Sequence, residues 1–186
     1  TETLTQGLMN SCNPFFITIG QKLGKENFFK YFEAFGFTEK SGIDLPAEAS
    51  PVADVTYHSL EKMGIAELSS SSFGQTFQVS PIQVVNAIST IANGGKLMQP
   101  YVVDSILDSD GNVIAKTQSK VKRQVISEKT ASTVADMMEN VVSKGTGKNA
   151  YVAGYHVAGK TGTSEKIGKE GAYIASFAGF APANNP

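Results

Sequence analysis

The chain contains one cysteine in 186 residues, so it can close no internal disulfide. It also has no run approaching the roughly 18 consecutive apolar residues of a membrane span, and no leader-like apolar segment is visible. An excess of either charge is missing as well: 16 Lys and Arg face 17 Asp and Glu, for a formal net charge of −1 and a pI near 6.1. That balance offers no broad cationic field, so nucleic acid is not expected as a partner. The one basic run, Lys120-Val121-Lys122-Arg123, reads as a solvated turn. No internal repeat occurs. Thr1 is not a natural start and Pro186 follows a strand-like run, so the chain is expected to be a piece of something longer. None of these absences fixes a compartment.

What is present suffices for one domain. With 41% apolar side chains over 186 residues, such a chain buries roughly 70% of its unfolded surface. Asn13 as N-cap and Pro14 at the first helical position predict a helix with Phe16, Ile19 and Leu23 on one face, closed by Gly24. Phe28, Tyr31, Phe32 and Phe35 predict a second, ending at Gly36, and Gly42 to Pro46 reads as a loop. A helix is expected around Tyr57 to Leu68, followed by a short serine-rich stretch, Ser69 to Ser72. Ser80-Pro81 opens the clearest helix, with Ile82, Val85, Ile88 and Ile91 on one side and Asn93-Gly94-Gly95 at its end. A hairpin is predicted from Tyr101 to Leu107 and Val113 to Thr117 around a turn-rich loop. Ser127 then caps a helix with Val134, Met137, Met138, Val141 and Val142 inward, broken by Gly145-Thr146-Gly147. Strands at His156 to Thr163 and Ala172 to Phe180 finish the chain.

The last strand pair holds the most informative stretch, Val157-Ala158-Gly159-Lys160-Thr161-Gly162-Thr163. Its glycines let another backbone approach closely, while its hydroxyls and Lys160 suit a carboxylate and its N–H groups suit a carbonyl oxygen. Far upstream, Ser11-Cys12-Asn13 sets a hydroxyl and a carboxamide two apart before a proline-initiated helix. Blander readings stand beside these. Asn13 can serve only as an N-cap, Cys12 as buried filler rather than a nucleophile served by His58 or His156, and Thr1 is a nucleophile only if it is a true N-terminus. Gly154 to Thr161 also satisfies the phosphate-loop pattern G-x-x-x-x-G-K-[ST], with Tyr101 to Asp104 as a strand ending in a magnesium-binding aspartate. The context speaks against it: a phosphate loop opens a helix, and Gly162, Gly168 and Gly171 impede one here.

S-x-N followed by K-T-G are two of the three signatures of the penicillin-interactive serine enzymes, in that order. Phe35-Gly36-Phe37, Gly42 to Pro46, Ser72-Phe73-Gly74-Gln75, Ile91 to Gly95, Gly145 to Gly147 and Ser176 to Pro182 extend the likeness over almost the whole chain. The chain resembles the transpeptidase domain of monofunctional (class B) penicillin-binding proteins. The resemblance implies an α+β fold, an antiparallel sheet flanked by helices with an adjoining helical subdomain. It implies an extracytoplasmic D,D-transpeptidase that cross-links peptidoglycan stem peptides ending in D-Ala-D-Ala, is acylated by β-lactams, and uses no cofactor or metal. It implies a proton-passing role for Ser11, donor-amide binding by Asn13, and positive potential from Lys160. Thr161 and Thr163 would hydrogen-bond a carboxylate, the Thr163 N–H would form half of an oxyanion hole, and Gly162 would keep the strand edge open. A penicillin-recognising sensor domain is the alternative use of the same fold.

The chain departs from the family's pattern at its ends and in one loop. The acylated serine and its lysine should precede Ser11, and no S-x-x-K does so. Residues 1–186 are therefore expected to be a partial domain lacking that segment and a C-terminal strand, with any membrane anchor outside it. Ser59-Leu60-Glu61-Lys62 and Ser119-Lys120-Val121-Lys122 match S-x-x-K but follow S-x-N, and the second is expected in a loop. Thr76 stands where the family often has glycine.

Overall fold

In the computed structural model, which describes residues 2–166 and 168–186, a reciprocal capping box starts the first helix, α1 (Leu4–Asn10). The Gln6 N–H donates to Thr3 Oγ1 at 3.3 Å, and the Thr3 N–H donates to Gln6 Oε1 at 2.9 Å. Hydrophobic periodicity does not announce this helix, because seven residues hold too few apolar positions. Thr1, considered above as an N-terminal nucleophile, lies outside the described residues. Ser11 ends α1 in the left-handed region at φ 51°, and α2 (Asn13–Leu23) begins at once. Cys12, not Asn13, takes the cap position, so Asn13 is the first helical residue and its carboxamide is not used in capping.

Gly20 lets α2 approach α4 (Ile65–Ser72) closely, since a Cβ there would meet Ser72 Oγ at 1.8 Å. Gly24 then turns the chain into α3 (Lys25–Ala34). Phe32 of α3 is buried among Phe37, Phe77 and Tyr57, with ring centroids at 5.2, 5.3 and 5.7 Å. This aromatic cluster is the core of the helical part.

The helix expected around Tyr57 to Leu68 instead begins at Ile65 and includes the serine-rich stretch. Asp54 accepts the Ser59 N–H at 3.0 Å and pairs with Lys62 at 3.2 Å, which holds the preceding segment as a loop. The hydroxyls of Ser69, Ser70 and Ser72 donate to carbonyls one turn back, so the serines are satisfied within α4.

α5 (Pro81–Ala92) begins as expected, with Ser80 as cap and Pro81 at the first position. Its fully buried face is not the apolar stripe but Gln83, Asn86, Ala87 and Thr90. Gln83 Nε2 donates to the carbonyls of Gly36 (3.2 Å) and Glu39 (3.1 Å), and Asn86 Nδ2 to that of Met98 (3.0 Å). These bonds satisfy the buried amides and give the inward-facing polar residues a reason to be inside. Ile88 and Ile91 still pack on the central core, whereas Val85 is 57% exposed.

The basic run is not a turn. It is β4 (Lys120–Gln124), antiparallel to β1 (Lys96–Gln99), so Lys120 to Lys122 lie on a strand while Ser119 stays in the loop just before it. Its charges cap the carbonyl end of α3. Arg123 donates to the carbonyls of Ala34 (2.8 Å) and Glu33 (3.0 Å) and pairs with Glu39 (2.8 Å), which Lys122 also reaches at 2.7 Å.

The predicted hairpin forms from β2 (Ser105–Leu107) and β3 (Val113–Lys116). β2 starts late because the Asp44 carboxylate accepts the N–H groups of Val102 (2.8 Å) and Val103 (2.9 Å). These bonds hold the Asp44 carboxyl below its usual value of 3.8. A carboxyl with a depressed folded pKa contributes stability above the unfolded value and loses it as pH falls through the folded one. Asp44→Asn is therefore expected to lower the urea midpoint at neutral pH, with the gap from wild type closing as pH falls below 3.8. A gap independent of pH would show that the carboxylate charge is not what ties the hairpin down.

α6 (Glu128–Lys144), capped by Ser127, buries Ala131, Ala135, Met138, Val141 and Val142, with Val134 and Met137 half-buried. It packs on β5 (Ala158–Glu165), which pairs antiparallel with β6 (Tyr173–Phe180), Lys160 lying opposite Ala178. β5 begins at Ala158 rather than His156, because His156 Nδ1 meets Glu139 Oε1 at 2.7 Å and its carbonyl accepts the Ala183 N–H. α5 packs against both α6 and β6. The α+β expectation is met, with the described strands in three separate antiparallel pairs. No helix among the described residues is long and apolar enough to cross a membrane.

Candidate active site

A cleft of about 390 Å³ opens where α1, α2, the end of α4 and β5 converge. Leu8 and Ser11 come from α1 and its cap, Asn13 and Phe16 from α2, Ser72 to Gly74 from the end of α4, and Lys160 to Ser164 from β5, with Ser176 of β6 behind them. Every site residue expected from sequence, namely Ser11, Asn13, Lys160, Thr161, Gly162 and Thr163, lines this one cleft.

Backbone geometry sets the positions. The left-handed turn at Ser11, with the Ser11 N–H on Leu8 O (3.2 Å) and the Cys12 N–H on Gly7 O (3.1 Å), projects the Ser11 hydroxyl beyond the end of α1. Lys160 Nζ donates to that hydroxyl, to the Thr161 carbonyl at 2.8 Å and to Thr161 Oγ1 at 3.4 Å. Burial pushes the Lys160 ammonium below its ordinary value of 10.5, because the charged form loses hydration in the cleft wall.

The Thr163 carbonyl accepts at 3.5 Å from Nε2 of Gln75, the residue next to the Ser72 to Gly74 part of the cleft lining. In an antiparallel strand the N–H and C=O of one residue point to the same side. The Thr163 N–H therefore also points away from β6, and it has no bonding partner among the described residues. Gly162 lines the cleft beside Ser176, and a Cβ there would meet Ser176 Oγ at 2.7 Å.

Sequence reasoning did not single out Gln75, which bonds the Thr163 carbonyl, or Ser176 and Phe16, which line the cleft. The first two lie in stretches noted above for the family likeness, with no role given to either residue, and Phe16 reads as an ordinary position on the apolar face of α2. The competing readings separate cleanly. His58, His156 and Cys12 do not line the cleft, so no Cys–His pair forms there. The phosphate-loop pattern fails because Lys160 and Thr161 lie inside an eight-residue strand, so no helix N-terminus follows to receive phosphates. Tyr101 to Asp104 is not a strand. Neither Ser59 nor Ser119 is part of the cleft lining.

The model of the penicillin-binding protein transpeptidase domain matches residues 1–186. Stage V sporulation protein D of Bacillus subtilis is 44% identical over 191 residues, which cover 100% of this chain and 29% of that protein. The peptidoglycan D,D-transpeptidase FtsI homolog of Mesostigma viride is 31% identical, covering 98% of this chain and 33% of its own length. The chain thus spans about a third or less of these curated relatives. Among solved structures, the D,D-transpeptidase domain of a peptidoglycan glycosyltransferase from Eggerthella lenta superposes with TM-score 0.85 at 31% identity, over 100% of this chain and 46% of that one. Penicillin-binding protein 3 of Mycobacterium tuberculosis, complexed with ampicillin, gives TM-score 0.85 at 28% identity, over 99% of this chain and 42% of that one. With a cleft that joins S-x-N to K-T-G in a fold shared with these proteins, the chain belongs to the penicillin-binding protein transpeptidase domain family.

Proposed function

We propose that this chain is part of a serine D,D-transpeptidase that cross-links peptidoglycan stem peptides ending in D-Ala-D-Ala and is acylated by β-lactams. The observation that carries the reading is the contact of Lys160 Nζ with Ser11 Oγ inside the cleft, between motifs 149 residues apart. The named D,D-transpeptidase relative and the ampicillin-bound neighbour support it over a sensor role.

In this reading the acylated serine and its lysine belong to a segment of the polypeptide outside residues 1–186. Ser11 passes a proton between the amines and the leaving group, and Asn13 holds the amide of the acyl donor. Lys160 supplies positive potential toward the substrate carboxylate, which the hydroxyls of Thr161 and Thr163 hydrogen-bond. The Thr163 N–H stabilises the developing oxyanion. The reaction takes place on the extracytoplasmic face of the membrane, with the anchor elsewhere in the polypeptide.

Fluorescent penicillin tests the assignment. The 186-residue chain is expected to take no denaturation-resistant label, whereas the full-length protein takes one label per molecule, on a serine upstream of Ser11. A stoichiometric adduct on the 186 residues, mapped to Ser59 or Ser119, would sink the placement of the nucleophile.

A further inference from the structure

Thr146 stands just after α6, outside both sequence motifs, yet it touches the segments that carry each. Its N–H donates to the Met9 carbonyl at 3.0 Å, two residues before Ser11. Its hydroxyl lies 3.3 Å from Thr161 Oγ1 on β5. The flanking glycines make this approach possible and hold it. A Cβ at 145 would meet the Met9 carbonyl oxygen at 2.7 Å, and the Gly147 N–H is tied to Val141 O at 3.0 Å. The Thr146 backbone is thus fixed on two sides while its side chain stays exposed.

The hydroxyl of Thr161 has one proton and must divide its bonds. Lys160 Nζ already donates to Thr161 Oγ1 at 3.4 Å, so the Thr161 proton points either to Thr146 or into the cleft. We propose that Thr146 is a positioning residue for carboxylate recognition, its hydroxyl donating to Thr161 Oγ1 and so turning the Thr161 proton toward the bound carboxylate. Two donors on one oxygen, the Lys160 ammonium and the Thr146 hydroxyl, polarise the Thr161 O–H and strengthen its bond to an anion. The inference rests on the transpeptidase reading, in which Thr161 meets the carboxylate of the substrate or of a β-lactam.

The test uses full-length protein, benzylpenicillin and its methyl ester, with binding and acylation constants separated by stopped flow. Thr146→Val keeps the shape and loses the hydroxyl. It is expected to weaken binding of the acid about fivefold, as for one hydrogen bond to a charged partner, with the acylation constant unchanged. The ester should lose less than about twofold, and Thr146→Ser should recover acid binding, because the hydroxyl rather than the methyl group is at work. If Thr146→Val gives no cooperative melt, Thr146→Ala carries the same comparison. Equal losses for acid and ester, no loss for the acid, or failure of the serine variant to recover binding would each overturn the proposal in favour of a purely structural threonine. A wild-type protein that is never acylated overturns the transpeptidase reading itself, and this proposal with it.

Discussion

Lys160→Ala in the full-length protein is expected to lower the second-order rate of acylation by a penicillin about 100- to 1000-fold, the usual effect of removing one preorganised group from an oxyanion-type site. The side chain touches the Ser11 hydroxyl and the Thr161 hydroxyl, so its loss removes both the charge and the donor that orders them. Stability should not follow activity. The folded pKa of Lys160 lies below 10.5, so between the two values the unfolded chain binds more protons and stability rises with pH. At neutral pH the buried ammonium opposes folding, and the variant should melt at the same temperature as wild type or higher. Stopped-flow acylation with a parallel thermal melt checks both halves. Unchanged acylation together with lost ATP binding would restore the phosphate-loop reading.

Gly95→Ala is expected to cost about 2–4 kcal/mol of folding stability, through backbone strain and a steric clash acting together. Gly95 sits at φ 88°, and a Cβ there would meet the Ile126 carbonyl oxygen at 2.1 Å. Nothing near it can yield, because the Gly95 carbonyl accepts the Val125 N–H at 2.8 Å and its own N–H donates to Thr90 O at 2.8 Å. The joint between α5 and β1 is clamped by the continuation of β4. Gly111 is the control, with φ 86° and no atom within 4 Å of a new Cβ. Gly111→Ala should cost only about 1 kcal/mol, for the left-handed backbone alone. Urea midpoints for the two variants separate the contributions. Equal losses would mean that the contact with Ile126 relaxes freely and that only φ matters.

The site was more legible in the sequence than the fold around it. Ser11, Asn13 and Lys160 to Thr163 stood out because unusual residue types at fixed spacing are a local signal, and the cleft gathers all of them. Long helices with a cap and a periodic stripe, α2, α5 and α6, were legible for the same reason. The failures share a different cause. The charges of β4 look solvated in isolation, but the partners of Lys122 and Arg123 lie more than 80 residues upstream. Likewise Gln83 and Asn86 face inward because carbonyls from other segments need donors, and no pattern within α5 reveals them. The α1 capping box, Thr3 with Gln6, is a local signal too weak by itself to predict a helix, since seven residues give no periodicity to support it.

The meeting of Ser11 with Lys160 across 149 residues has a consequence for how the protein is made. At ribosomal rates of about 5–20 residues per second, the Ser11 segment emerges roughly 7–30 s before its lysine. Until Thr146 is made and bonds the Met9 carbonyl, the end of α1 has only its local bonds to Leu8 and Gly7. A nascent chain therefore exposes its early motif to proteases and chaperones long before the late one arrives. Ligand capture can begin only when synthesis has passed β5, and a chain stalled in the α6 coding region would lack Ala158, Phe180 and Ala183 of the central core as well as Lys160, so it would lose its fold and its chemistry together.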